Sequence, residues 1–209
     1  MGDWASIGAV RGDDGVRRCG WCTDAADYTA YHDDEWGRPV TDDLRIYEKI
    51  CLEGFQSGLS WLTILRKRDG FRRAFAGFDP EAVARFGPAD VDRLMGDAGI
   101  VRHRGKIEAT IANARGTLAV QEQHGSLASL VWSYEPRRRG RPVPRRLGDL
   151  ASVTPESTAL SKALRAAGFR FVGPTTAYAA MESLGLVNDH LSGCSARAAC
   201  EAERAKMRR

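Results

Sequence analysis

The sequence predicts an all-α fold, and three observations lead to this prediction. Apolar residues recur at intervals of three and four along several stretches of the 209 residues, as they do on one face of an amphipathic helix. Proline, glycine, acidic and hydroxyl residues bound these stretches at positions that favour helix ends. Alternation of period two, which is typical of strands, is found only in the short run at 169–172.

The first two helices are predicted from residue spacing near the start of the chain. Within 23–36, Tyr28, Tyr31 and His32 are spaced so that they share one helical face. The segment 42–53 begins with acidic residues, carries an apolar stripe, and ends where glycine follows.

Five further helices are predicted by the same signals. The segment 60–68 begins with serine and ends in three basic residues, as a helix C-terminus prefers. The segment 88–97 begins with proline, and 104–122 has helical spacing up to a glycine. Glycine also closes the helical segments 158–168 and 174–186.

The chain is predicted to form one globular unit of two helical lobes, spanning 18–200, with a helical hairpin near 91–115. Residues 1–17 and 201–209 are predicted to be flexible tails. The segment 136–146 reads PRRRGRPVPRR, in which proline and glycine disfavour regular structure and arginine disfavours burial. We therefore expect an exposed basic loop there.

Composition excludes several classes of protein. With 43% hydrophobic and 28% charged residues, the chain can bury a core, and no stretch reaches the roughly 20 apolar residues of a spanning helix. The first twenty residues lack the apolar block of an export signal, so a cytoplasmic location without membrane contact is expected. Five cysteines are too few for a disulfide framework in a chain of this length and favour reduced thiols or metal ligands.

Charge is distributed unevenly along the chain. Residues 23–53 contain nine acidic and three basic residues, whereas 102–146 contain ten basic and three acidic residues. A concentrated basic surface is typical of proteins that bind phosphates, including nucleic acids, although a solvated arginine-rich face is an equal alternative.

Cysteine and histidine occur near both ends of the expected fold. Two thiolates and two imidazoles make a tetrahedral set that suits structural zinc, although ordinary buried thiols and histidines are the alternative. Cys22 and Cys200 are close enough in sequence to replace a ligand, and Asp189 could orient one or cap a helix. The four proposed ligands are Cys19, His32, His190 and Cys194.

Aromatic residues and one carboxylate suggest a slot for a flat ligand. Aromatic faces attract planar or cationic rings, and a carboxylate adds charge and hydrogen-bond acceptors. Core packing is the alternative explanation for such a cluster. The residues are Trp21, Tyr28, Tyr31, Trp36, Glu53 and Trp61.

A turn between two predicted helices carries glycine and basic residues. In a helix-hairpin-helix, backbone amides at the start of the second helix bind a DNA phosphate and nearby basic side chains add charge. A plain helical connection with solvated arginines is the alternative. The predicted DNA contacts are Gly99, Arg102, Arg104, Gly105 and Lys106.

Several longer motifs occur together and in order. They are Cys-Gly-Trp (19–21), the Tyr-x-x-Tyr-His-Asp-x-Glu-Trp-Gly segment (28–37), Cys-Leu-Glu-Gly (51–54), Gly-Leu-Ser-Trp (58–61), the segment from Asp97 to Ile107, Leu-Ser-Lys-Ala-Leu (160–164) and Gly-Leu-Val-Asn-Asp-His (185–190). In this combination the chain resembles the DNA-3-methyladenine glycosylase I family. The atypical Cys22 and Phe55, the additional N-terminal residues and the strongly basic loop depart from the family pattern.

The resemblance implies a helix-hairpin-helix DNA glycosylase fold in which a zinc ion joins the N- and C-terminal segments. It implies a monofunctional enzyme that removes N3-methyladenine from alkylated double-stranded DNA and releases the free base, and we expect it to act as a monomer. The zinc ligands implied are Cys19, His32, His190 and Cys194. Glu53 is implied to read the base and Trp61 to stack on it, with Tyr28, Tyr31 and Trp21 lining the slot.

Two residues have alternative catalytic roles. Lys106 could act as a Schiff-base nucleophile, but the resemblance to a monofunctional family favours a phosphate contact. Many relatives with the hairpin fold use an aspartate, and Asp189 falls in a suggestive string, Val-Asn-Asp-His, although the resemblance implies a family that lacks that aspartate. A zinc-stabilised DNA-binding module without activity, or a glycosylase for other alkylated bases, are the alternative functions.

Overall fold

A computed structural model describes residues 3–138 and 140–207. Residues 1–2 and 208–209 of the predicted tails, and Arg139 of the predicted basic loop, lie outside the described residues. The described chain is mostly helical, with one small sheet, and it forms two compact units. Unit 1 comprises Met1–Pro39, Glu135–Ser152 and Met181–Arg209, and unit 2 comprises Val40–Tyr134 and Val153–Ala180.

Unit 1 begins with a β-hairpin. Strand β1 (Ala9–Arg11) pairs antiparallel with β2 (Arg17–Cys19), with Ala9 opposite Cys19. Helix α1 (Ala26–Asp34) follows the hairpin, and helix α10 (Ala196–Lys206) lies near the end of the chain.

Unit 2 is built from helices. Helix α9 begins in unit 2, which extends to Ala180, and its last three residues belong to unit 1. In chain order the helices are α2 (Asp43–Gln56), α3 (Trp61–Ala74), α4 (Pro80–Ala84), α5 (Pro88–Gly96), α6 (Arg104–His124), α7 (Leu127–Trp132), α8 (Pro155–Ala166) and α9 (Pro174–Ser183).

Side-chain caps explain why the helix starts were predictable. The carboxylate of Asp42 accepts a hydrogen bond from the amide of Arg45 at 2.9 Å and begins α2. The Ser60 hydroxyl accepts one from the amide of Thr63 at 3.2 Å and begins α3. Such caps satisfy amides that have no partner within the helix.

The predicted end of α2 is wrong by several residues. The helix continues through Gly54 to Gln56, and Gly54 is buried beside Phe171, where an added Cβ would lie 3.4 Å from that side chain. This glycine therefore allows close packing rather than ending the helix.

Part of each predicted tail has regular structure. The hairpin and a 3₁₀ turn (Trp4–Ser6) occupy most of residues 3–17, and α10 continues to Lys206. The alternation at 169–172 does not form a strand: Phe171 is an exposed residue at φ +56°.

The predicted exposed loop at 136–146 is only partly exposed. Pro144 is buried, and Arg138 and Arg141 are half-buried. Arg138 pairs with Glu135 at 2.5 Å and Arg141 pairs with Asp189 at 2.8 Å. These ion pairs offset the cost of removing the arginines from water, which the sequence-based prediction did not consider.

The core of unit 2 is an aromatic stack that holds α2 against α3. The rings of Phe55 and Phe71 lie 4.5 Å apart, and Phe75 and Phe78 extend the stack. Because α2 is fixed in this way, the side chains at its C-terminal end have a defined position. No helix in the described part of the chain is long and apolar enough to cross a membrane.

Candidate functional site

Unit 1 contains a buried cluster of two cysteines and two histidines. Cys19 ends β2, His32 lies on α1, and His190 and Cys194 lie before α10. One potential ligand atom from each of these residues lies within 4.8 Å of the others, so the four could hold a metal ion. The sequence prediction named the same four residues.

The distances within the cluster fit a single small ion. His190 Nδ1 is 3.1 Å from His32 Nε2, and Cys194 Sγ is 3.4 Å and 3.5 Å from these two nitrogens. Cys19 Sγ is 3.8 Å from His190 Nδ1. Ligand bonds of about 2.0–2.3 Å in a tetrahedron would separate the ligand atoms by roughly 3.3–3.8 Å.

Each histidine is oriented by a hydrogen bond on its other ring nitrogen. His32 Nδ1 lies 2.7 Å from a carboxylate oxygen of Asp33, and His190 Nε2 lies 3.0 Å from the backbone carbonyl of Trp36. Metal-binding histidines are commonly held in this way, because the bond fixes both the tautomer and the ring orientation.

Asp33 was not predicted as a partner of a cluster histidine, whereas Asp189 was. The sequence contained a signal for both residues, because each aspartate is the direct neighbour of a cluster histidine: Asp33 follows His32, and Asp189 precedes His190. The structure pairs Asp189 with Arg141 at 2.8 Å.

The protons of the cluster are shared unequally among its residues: a hydrogen bond with Cys194 and burial raise the pKa of the Cys19 thiol. Burial lowers the pKa of His32, whereas hydrogen bonds to Cys194, Cys22 and Asp33 raise it, and the net result is about 10. A hydrogen bond with Cys19 lowers the pKa of Cys194 well below its usual value. A metal binds thiolate and neutral imidazole, so Cys194 already has the form that an ion would need, whereas His32 and Cys19 would release protons on binding.

The two alternative cysteine ligands lie outside the four-residue cluster. The Cys22 thiol donates to the backbone carbonyl of Cys19 at 3.1 Å, and Cys200 Sγ lies 3.9 Å from the carbonyl of Trp36. Both are buried, which is the ordinary environment of a structural cysteine.

Unit 2 contains a cavity beside a buried carboxylate. Glu53 lies near the C-terminal end of α2 and is 6% exposed. The cavity has a volume of about 320 Å³, within the usual range for small-molecule sites. Its lining residues come from the end of α2, the following loop and the start of α9: Glu53, Gln56, Ser57, Gly58, Leu59, Thr175, Thr176 and Ala179.

Trp61 has a different environment from the predicted one. It begins α3, is 7% exposed, and lies outside the set of described residues that line the cavity. The ammonium of Lys49 lies 5.0 Å from the centre of its ring, in a cation–π contact. One face of this indole therefore already contacts a cation.

The predicted aromatic residues of unit 1 pack beside the cysteine–histidine cluster. The Trp21 ring lies 4.9 Å from Tyr28, 5.2 Å from His32 and 5.1 Å from Trp36, measured between ring centres. Tyr31 is buried on α1, and Tyr28 and Trp21 are half-buried. Trp36 also contacts the ring of His190 edge-on at 4.7 Å. These contacts make the aromatic group part of the packing around the cluster.

The turn between α5 and α6 exposes basic side chains. Arg102 is exposed, and Arg104 is exposed and pairs with Asp92 at 2.7 Å. Gly99 and Gly105 are half-buried. The turn therefore presents two arginines and the start of α6 to solvent.

Lys106 is not placed as the sequence predicted. It is 7% exposed, and its ammonium donates to the backbone carbonyls of Phe55 at 2.8 Å and Ser57 at 2.6 Å. These carbonyls end α2, where a positive charge is favourable. Burial lowers the pKa of Lys106. The side chain caps a helix instead of facing a phosphate.

Comparison with known proteins identifies the family. Residues 21–198 match the model of a family described as methyladenine glycosylase. The chain belongs to the methyladenine glycosylase family. The match includes Glu53 and three of the four cluster residues, and Cys19 lies just before it.

Two similar proteins match most of the length of this methyladenine glycosylase family member. The DNA-3-methyladenine glycosylase 1 of Escherichia coli (strain K12) is 48% identical over 179 residues, which are 86% of this chain and 96% of that protein. A crystal structure of a 3-methyladenine DNA glycosylase I has 48% identity and a TM-score of 0.80, covering 85% of this chain and 98% of that one.

A third similar protein is known from a structural study of base recognition. It is the 3-methyladenine DNA glycosylase I of Staphylococcus aureus, whose structure concerns the structural basis of 3-methyladenine recognition. Its identity to this methyladenine glycosylase family member is 38% and its TM-score is 0.81, covering 86% of this chain and 96% of that one.

Proposed function

We propose that this protein is a monofunctional DNA glycosylase that removes N3-methyladenine from alkylated double-stranded DNA. The observation that carries the proposal is the buried Glu53 beside a cavity of about 320 Å³ in a chain of the methyladenine glycosylase family. A base inside a duplex cannot be reached, so the nucleotide must rotate out of the stack before it binds.

Selection of the damaged base follows from its charge. Methylation at N3 gives the purine ring a positive charge, which a carboxylate and aromatic faces favour and which neutral adenine lacks. We assign the carboxylate role to Glu53, in unit 2. The aromatic contacts implied by the family resemblance, Trp61, Tyr28, Tyr31 and Trp21, stay a prediction.

The proposed reaction breaks the bond between the sugar and the base. The electron pair of that bond leaves with the base, so the cationic methyladenine departs as a neutral molecule. A water molecule adds to the electron-deficient sugar carbon and loses a proton to solvent, which leaves an abasic site. Because the lesion itself weakens the bond, the protein needs chiefly to select and hold the base.

We propose that the cysteine–histidine cluster holds a structural zinc ion. Two thiolates and two imidazoles at tetrahedral spacing suit zinc, and a closed set of four protein ligands leaves no position for substrate. The residues would be Cys19, His32, His190 and Cys194, which are all buried. The ion would link the first segment of unit 1 to its last.

DNA binding is proposed at the turn between α5 and α6, read as a helix-hairpin-helix. Its support is the exposure of Arg102 and Arg104 beside the N-terminus of α6. Backbone amides at such a terminus bind phosphates. Gly99 and Gly105 would allow close approach of the DNA backbone, whereas the observed contacts of Lys106 support a structural role.

A cytoplasmic location and a monomeric state remain part of the proposal. A DNA repair enzyme needs access to chromosomal DNA, which supports a cytoplasmic location. One active site is enough to recognise a single flipped nucleotide, which supports a monomer.

The test is release of bases from methylated DNA. Purified protein is incubated with DNA treated with a methylating agent, and the released bases are separated by chromatography. We expect 3-methyladenine as the main product. Release of a different alkylated base would support another substrate range, and release of no base would favour a DNA-binding module without activity.

The role of Glu53 is tested with a charge-neutral variant. We expect Glu53→Gln to reduce release of 3-methyladenine at least tenfold, while binding to undamaged DNA is unchanged. Glu122→Gln is the matched control, since Glu122 is an exposed carboxylate on α6 of the same unit. An equal loss of DNA binding in Glu53→Gln would indicate a structural role for this carboxylate.

A further inference from the structure

The basic loop of unit 1 contributes to a second, smaller cavity. We call it the arginine cavity because five of its nine lining residues are arginines. The loop, the segment after α9 and helix α10 supply its walls. They are Pro136, Arg137, Arg138, Arg141, Leu186, Asn188, Arg197, Glu201 and Arg204.

Positive charge exceeds negative charge around the arginine cavity. Three carboxylates are paired with its arginines: Glu135 with Arg138 and Arg204, Asp189 with Arg141, and Glu201 with Arg204 and Arg197. Five guanidinium groups facing three carboxylates leave an excess of two positive charges. This excess of positive charge would attract a small anion into the cavity.

Arg204 is the most enclosed of these arginines. It is 5% exposed, and its two terminal nitrogens donate to Glu201, Glu135 and the carbonyl of Leu186. Its Nε is buried and has no hydrogen-bond partner among the described residues. Burial lowers the pKa of Arg204, and the nearby Arg138 and Arg141 lower it further. Arg204 therefore lines the cavity as a buried guanidinium in a positive environment, and its Nε is an unsatisfied donor.

The size of the arginine cavity limits its ligand. Its volume is about 50 Å³, more than the roughly 30 Å³ share of one water molecule. It is well below the roughly 300 Å³ of typical organic-ligand sites. The space therefore suits one small tetrahedral anion and excludes a nucleobase.

We propose that the arginine cavity binds a phosphate-sized oxyanion. Guanidinium groups match phosphate oxygens in geometry and remain charged at all physiological pH values. The anion could be free phosphate or a phosphate of a nucleic-acid backbone, because both present the same oxygens. This site is separate from the cavity beside Glu53, so the inference does not depend on the proposed glycosylase activity.

Binding of inorganic phosphate to the full chain tests this inference. Calorimetric titration is carried out at constant ionic strength, with chloride replacing phosphate. We expect saturable binding of one phosphate per chain. Arg137→Gln should weaken it roughly tenfold, because one charge-assisted contact is lost. Arg137 is exposed and pairs with none of the described carboxylates, so its replacement should leave folding unchanged.

Arg145→Gln is the matched control. Arg145 is an exposed arginine of the same loop that does not line the arginine cavity, so this variant removes the same charge from the same segment. We expect its phosphate affinity to stay within about twofold of the unmodified protein. Absence of saturable binding, or equal weakening by the two substitutions, would overturn the proposal.

The source of the phosphate is distinguished with undamaged duplex DNA. If the cavity takes a backbone phosphate, Arg137→Gln should weaken DNA binding and lower the salt slope by about one, and Arg145→Gln should have a smaller effect. If it takes the free ion, the two variants should bind DNA equally while differing in phosphate affinity.

Discussion

At the scale of single residues, Lys106 shows how one side chain determines the position of a neighbouring segment. Its ammonium holds two carbonyls at the end of α2, and the loop that follows lines the cavity beside Glu53. This role of Lys106 could not be predicted from its place in a glycine-rich turn. Its partners are backbone atoms about fifty residues away in the sequence.

Replacing Lys106 tests this structural role. Lys106→Met removes the donor and leaves two carbonyls at the end of α2 without it, so we expect a loss of about 1–3 kcal/mol in the free energy of unfolding. Denaturant titration measures the change. Arg104→Met is the control on the same helical turn, and its exposed ion pair should contribute less than about 1 kcal/mol.

The same geometry predicts the result of chemical trapping. Since the Lys106 ammonium is buried and makes two hydrogen bonds, we expect borohydride to trap no covalent complex with damaged DNA. A covalent adduct that disappears in Lys106→Met would contradict this assignment.

Asp33 is a second residue whose role depends on one contact. It accepts a hydrogen bond from a ring nitrogen of His32 at 2.7 Å and also pairs with Arg18 at 2.8 Å. We expect Asp33→Asn to weaken metal binding roughly 10- to 100-fold, as measured by competition with a chelator. The exposed neighbour Asp34 provides the control, and a similar loss in Asp34→Asn would show that the effect is not specific to the histidine contact.

The candidate site was predicted from the sequence to different extents. The four cluster residues were identified because thiols and imidazoles are few and because their motifs resemble a known family. The positions of Lys106 and Trp61 were not predicted, because each depends on which backbone or side-chain atoms lie beside it in the folded chain. Local spacing carries no information about such partners.

At the scale of elements, helix starts were more predictable than helix ends. A start depends on one capping side chain, such as Ser60 before α3, which is visible in the sequence. No comparable side-chain signal marks the ends of α2 and α3, and both helices extend beyond the predicted boundaries. The hairpin β1–β2 was missed because three-residue strands are too short to show alternation.

The turn after α5 depends on a close contact between two glycines. A Cβ added at Gly70, on α3, would lie 2.3 Å from the carbonyl oxygen of Gly99. The Lys67 ammonium also donates to the carbonyl of Ala98 at 2.7 Å. Helix α3 therefore fixes the position of this turn through contacts that leave no room for a larger residue.

Substitution of Gly70 tests this contact. Because the clash involves backbone atoms, we expect Gly70→Ala to destabilise the protein by about 1–3 kcal/mol and to weaken DNA binding by displacing the turn. Thermal unfolding and DNA titration measure the two effects. An added Cβ at Gly96 of α5 meets no atom within 4 Å, so Gly96→Ala should be neutral or slightly stabilising. Equal stability of the two variants would contradict the proposed tight packing.

At the scale of the whole molecule, residues from near both ends of the chain form the cysteine–histidine cluster. The cluster in unit 1 joins Cys19 and His32 to His190 and Cys194, and more than 150 residues separate the first pair from the second. Composition and helix periodicity predicted a mostly helical fold. They did not predict that the chain alternates between two units, with three segments in unit 1 and two in unit 2. Such an arrangement is not visible in local patterns, and only the widely spaced cysteine and histidine motifs indicated it.

Metal removal should therefore affect the stability of the whole chain. A bound ion that contributes several kcal/mol to folding would raise Tm by roughly 2–4 °C per kcal/mol in a protein of this size, so we expect a chelator to lower Tm by about 10 °C or more. Calorimetry with and without the chelator measures the change. Cys194→Ser should lower Tm in the same way and make the chelator ineffective, because the ligand set is already incomplete. Cys200→Ser is the matched control: its sulfur is also buried but lies outside the cluster, so the chelator should still lower the Tm of this variant. A chelator effect that persists unchanged in Cys194→Ser would show that the stabilising ion is bound elsewhere.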